Sequence, residues 1–161
     1  MAETSVTALQ AIQAILAPAL GISAVGLLLL MLNSRYSNII NRIRLLHEEK
    51  RKYLKQIAEN VELSYTDKSR FMSITNQSKE LLVRSRYVRN AMLLLQMSIA
   101  LFVLTSVTIG LTLFISIPFI QTLPLVLFII GMIGVLVAVS FAGLEVYLSY
   151  KIVLIEVSAD E

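Results

Sequence analysis

The chain has no cysteine and no tryptophan, one histidine, and three prolines in 161 residues. Without cysteine there is no disulfide scaffold, no thiolate metal site, no thiol nucleophile and no cysteine-linked lipid anchor. With His47 alone, zinc or iron lacks its usual set of nitrogen ligands, and neither metal nor cofactor is expected. A glycine-rich phosphate loop, paired catalytic carboxylates and a serine-histidine pairing are also missing, so the sequence does not read as an enzyme. Neither proline nor glycine occurs between Asn33 and Arg89, which removes the usual helix breakers from that stretch.

Hydrocarbon, by contrast, is in excess. The chain is 57% hydrophobic with mean hydropathy +0.76, whereas roughly 45 to 50% apolar residues is typical of a soluble domain. A helical crossing takes roughly 20 apolar residues, and three runs reach that length, at 11–32, 91–117 and 123–148. Glu145 is the only formal charge within them. The expected architecture is all-α: three transmembrane helices, with a long antiparallel helical hairpin of coiled-coil type at 33–90 between the first and second. An N-terminal segment at 1–10, a turn at 118–122 and a tail at 149–161 complete the division.

Charge sets the orientation. Thirteen of the fourteen lysines and arginines lie in the block Asn33 to Arg89, against six acidic residues there. Short loops rich in lysine and arginine stay on the cytoplasmic side, so the hairpin and the C-terminal tail are expected inside and the N-terminus and the turn outside. The segment before the first run carries Glu3 and no basic residue, unlike a secretory signal, and the run reads as a retained anchor. Tyr36, Tyr87, Tyr147 and Tyr150 fall at the inner boundary, where amphipathic rings prefer to sit.

The basic block is itself patterned. Tyr36, Ile39, Ile43, Leu46, Lys50, Tyr53 and Ile57 alternate spacings of three and four, as do Phe71, Ile74, Ser78, Leu81, Ser85, Val88 and Met92. The pattern breaks at Asn60 to Ser64, and Ser64 followed by Asp67 resembles a helix-starting box. Folding about that tip opposes Leu46 to Ser78 and Ile43 to Leu81. Lys50, Ser78 and Ser85 thin the seam, which points to neighbours: a homo-oligomer, a cytoplasmic protein partner on the hairpin, or both.

Within the apolar runs, Ser98, Thr105 and Thr112 recur every seventh residue, and Thr108 and Ser116 extend nearly the same face. Such a stripe can line a narrow aqueous path around an axis, or bond the carbonyl one turn back and pack against a neighbour. Glu145, level with Asn33, Arg35 and Arg89, fits either an interfacial ion pair or a cation-attracting ring in an oligomer. Arg35, Arg42, Arg84, Arg86 and Arg89 suit orientation and anionic lipid headgroups; nucleic acid is not an expected partner, because the aromatics sit in the seam or at the interface. Pro18 removes a backbone bond to Ala14 and predicts a bend. Small residues form ribbons at Ala14, Ala17, Pro18, Gly21 and Ala24, and at Gly131, Gly134, Ala138 and Ala142, where helices can approach closely. Gln13, Asn33 and Gln96 suit hydrogen bonds between helices.

These features point first to a homo-oligomeric ion channel or ion-conducting pore lined by the second transmembrane helix. A non-conducting, membrane-anchored coiled-coil adaptor or scaffold is the alternative, and a lipid-handling protein a third. The LAPAL run around Pro18, the GLLLLMLNSRYSNI segment leaving the first span and the RIRLLHEE segment from Arg42 to Glu49 resemble a bacterial family, domain of unknown function two-seven-two-one, and the likeness extends over nearly the whole chain. The resemblance implies a small three-pass bacterial inner-membrane protein with a helical cytoplasmic hairpin. It implies further that Pro18, Asn33, Arg35, Tyr36, Arg42 and Arg44 belong to a shared pattern, and it brings no catalytic or ligand-binding residues with it.

Overall fold

Helices account for nearly all of the residues that the computed structural model describes, namely 8–59, 64–112 and 118–158. They are α1 (Ala8–Ala58), α2 (Tyr65–Thr112) and α3 (Pro118–Ser158), and no strand occurs among the described residues. With no breaker between Asn33 and Arg89, α1 and α2 run from apolar into basic sequence as single helices of 51 and 48 residues. Ser64 stands directly before α2; its carbonyl accepts from the Lys68 amide at 3.1 Å, and its hydroxyl accepts from Thr66 Oγ1 at 3.2 Å. Asp67 in the first turn adds a favourable charge at the positive end of the helix dipole.

One boundary differs from expectation. Residues 118–122, read as a turn, belong to α3, which begins at Pro118. A proline is pre-organised for the first helical position, where its missing N–H would have had no partner. Pro18 likewise lies inside a continuous α1, and its ring is fully buried.

The chain divides into two compact units. In the first, which combines residues up to Leu32 with Asn90–Phe141, all three helices are long and apolar enough to cross a membrane, yet less than a third of each most apolar window is buried. Large apolar side chains such as Leu20, Leu27, Met97 and Leu136 face outward. That distribution is compatible with a multi-pass membrane protein whose solvent is lipid.

The interior of this unit is narrow and regularly spaced. α3 contributes Pro124, Gly131 and Ala138, seven residues apart, α1 contributes Pro18, Val25 and Leu32, and α2 contributes Ala91, Leu95, Ser98, Phe102, Thr105 and Thr108. The three-and-four spacing is that of helices crossing at a shallow angle. At the centre lies the Phe102 ring, fully buried and 5.4 Å from the ring of Phe128. A Cβ added at Gly131 would lie 2.7 Å from Phe102 Cε1, and one at Gly21 would lie 3.1 Å from Phe102 Cε2. On the Gly131 side only glycine leaves room for the ring, and on the Gly21 side an added methyl would be tight against it. Of the expected small-residue ribbon on α1, Pro18 turns inward and Gly21 is half-buried, while Ala14, Ala17 and Ala24 are exposed.

The second unit combines Asn33–Arg89 with the residues from Ala142 onward. Ile39, Ile43 and Leu46 of α1 are buried there, as are Ile74, Ser78, Ser85 and Val88 of α2. Arg35 and Arg84 meet at Glu145, and fourteen residues further along α1 and fourteen back along α2 Glu49 meets Arg70, so the two helices run in opposite directions. Lys50, a charge at an apolar position of the pattern, sets its ammonium 5.5 Å from the centroid of the Phe71 ring, a cation–π contact. Ser85 Oγ donates to Leu82 O at 2.9 Å, whereas the buried Ser78 Oγ has no partner among the described residues. Ile57 of the expected seam is exposed.

Two outcomes follow. Gly131→Val should lower stability in detergent by about 1–3 kcal/mol through overpacking against Phe102, while Gly26→Ala, with open space around the added methyl, should be neutral or mildly stabilising; thermal unfolding compares them. In the second unit, the Arg70 hydrogen bond holds the Glu49 carboxyl below its usual value. A depressed carboxylate stabilises the fold above the unfolded pKa and loses that contribution as pH falls through the folded one. The stability difference between the wild type and Glu49→Gln should therefore be present at neutral pH, shrink on acidification below the carboxylate range, and diminish with added salt.

Candidate functional site: a buried carboxylate between two arginines

Seven residues beyond Ala138, the inward face of α3 presents Glu145, which is 4% exposed. A carboxylate so enclosed needs charge and hydrogen bonds in return for lost water. Arg84 of α2 supplies most of them, donating from Nη2 at 2.9 Å and Nε at 3.2 Å to Oε1. Arg35 of α1 donates from Nη1 to Oε2 at 3.4 Å, a longer contact from a side chain that is about half exposed. One acidic group on α3 thereby binds both other helices within the second unit.

Of the residues expected level with Glu145, Arg35 is its partner, but the stronger bond comes from Arg84, five residues before Arg89. Arg42, Arg86 and Arg89 are exposed, as is His47.

The hydroxyl stripe lies in the first unit. Ser98, Thr105 and Thr108 are buried inside it and Thr112 is half-buried. Each donates to its own helix: Ser98 Oγ to Leu94 O at 3.0 Å, Thr105 Oγ1 to Leu101 O at 2.8 Å, and Thr112 Oγ1 to Ile109 O at 2.7 Å. Thr108 Oγ1 shares its proton between Leu104 O and Thr105 O, both at 2.9 Å. Ser98 also sits where a Cβ on Gly134 would reach its Oγ at 2.5 Å, so a small residue on α3 makes room for it. Ser116 lies outside the described residues.

Sequence reasoning missed Phe102. Its signal was its place on the stripe, four residues after Ser98 and three before Thr105.

Over residues 15–155 the chain matches the family described as Protein of unknown function (DUF2721). It belongs to that family. No curated protein and no solved structure matches it. The resemblance carried by the segments around Pro18 and from Arg42 to Glu49 thus covers most of this DUF2721 chain.

For the DUF2721 protein, removing one partner of a buried ion pair costs about 3–5 kcal/mol. Arg84→Ala is expected in that range and Arg35→Ala clearly below it, because Arg35 is more exposed and its contact longer. The double variant Arg84→Ala with Glu145→Ala should recover part of the loss, a coupling that unfolding in detergent reads directly.

Proposed function

We propose that this protein is a non-catalytic scaffold of the bacterial inner membrane, assembled as a homo-oligomer, whose basic helical arms form a coiled-coil hairpin in the cytoplasm and recruit a protein partner there. The observation that carries this reading is the inward direction of the hydroxyl stripe. Ser98, Thr105 and Thr108 are buried within one chain and bonded to carbonyls of their own helix, so α2 has little polar surface left on its outer side with which to surround an aqueous axis. Outside the spans, Leu45, Leu54 and Met72 are exposed amid the charges of the basic block, where lipid cannot cover them and a protein can. The orientation rests on the excess of lysine and arginine between the first two spans, and the exposed Arg42, Arg86 and Arg89 suit contact with anionic headgroups.

An ion-conducting pore lined by Ser98, Thr105, Thr108 and Thr112, with Glu145 biasing ion choice, has less support. It requires the first unit to open and those oxygens to leave their present partners. Glu145, moreover, is already held by two arginines.

Liposomes containing the purified protein separate the readings. The scaffold should pass no more ions than protein-free vesicles across ions, voltages and membrane tension; flux that falls when Thr105 and Thr112 become leucine would overturn it. In cells, Met72→Cys should be shielded from a thiol reagent relative to the purified protein, and equal labelling in both would count against a bound partner.

A further inference from the structure

The polar residues of α2 in the first unit divide into two groups. Ser98, Thr105, Ser106, Thr108 and Thr112 all bond carbonyls of their own helix. Gln96 does not: its side chain is exposed on the opposite side from Leu95 and Ser98, and no described residue hydrogen-bonds its amide. It stands seven residues past Arg89, the last basic residue before the span, or about 10 Å further along the helix at ~1.5 Å per residue. Its neighbours on that face are apolar, Leu93, Met97 and Val103 among them. An amide with two donors and an acceptor facing hydrocarbon is strongly disfavoured unless something bonds it.

We infer that the outer face of α2 around Gln96 is the contact between two copies of this chain, with the amides of the two Gln96 side chains bonding each other. Complementarity selects the occupant. Two copies inserted the same way are related by an axis along the bilayer normal, which sets each residue on that axis opposite its own counterpart. Among side chains a primary amide suits that placement, because it donates and accepts at once. One turn further, Ala100 is exposed on the same face and carries only a methyl group, so a second helix can come close, as small residues allow in membranes. Val103 and Val107 continue the face with stiff side chains that lose little freedom on contact. The inference rests on the homo-oligomer proposed above and gives it a surface.

The absence of cysteine makes the test clean. Ala100→Cys in native membranes should cross-link into a disulfide-bonded pair, whereas Leu136→Cys, on the exposed face of α3, should not. Adding Gln96→Leu should weaken association about tenfold, as expected for loss of an interhelical hydrogen bond, and reduce cross-linking accordingly, while Gln96→Asn should retain it. Mass measurement from lipid nanodiscs gives the assembly independently. An oligomer indifferent to Gln96→Leu, or equal cross-linking at Leu136→Cys, overturns this surface and leaves the assembly standing. A monomer overturns both.

Discussion

In hydrocarbon, helices gain nothing by hiding apolar surface from their surroundings, so what joins them has to be fit or polarity. The first unit is held by fit. A phenylalanine ring lies against Gly131, where an added Cβ would clash, and beside Gly21, where one would be tight, and the smallest residues of α3 repeat at the interval that keeps them facing inward. The hydroxyls beside that ring turn inward because a back-bonded serine or threonine needs little space and leaves nothing unsatisfied. The same fit explains why so little of each long apolar helix is buried: three slender helices touch along one line each, and the rest of their apolar surface faces outward.

The second unit relies on polarity where its apolar pattern is thin. Its buried positions include two serines, one of them without a partner among the described residues, and the half-buried Lys50 lies over an aromatic ring. Glu145 adds an anchor that apolar packing there does not provide. Two arginines against one acid leave a net positive charge at the cluster, on the flank of a block that already carries an excess of basic residues.

Much of this organisation was legible in the sequence. Run length and composition pointed to three helices long and apolar enough to cross a membrane, the Asn60 to Ser64 interruption falls between the end of α1 and the start of α2, and small residues marked the inner face of α3. What was not legible came from the limits of periodicity. A seven-residue repeat of hydroxyls states that they share a face but not which way the face points, since packing and pore lining demand the same spacing. Phe102 sat in an apolar run where an aromatic ring is equally at home in lipid. A reading by level sets Arg35 and Arg89 beside Glu145 and does not reach Arg84, five residues before Arg89, which makes the shorter contact. Pro118 suits a turn and the first position of a helix equally, and the structure places it at the start of α3.

The place of Glu145 late in the chain bears on how the protein is made. Synthesis proceeds from the N-terminus, so both guanidinium groups exist before the only acid of the apolar runs emerges from the ribosome. The segment that carries the carboxylate thus follows both of its counter-ions in synthesis, and the acid need never stand without them. Moving that acid to the first segment would reverse the sequence of events and leave an exposed charge during assembly.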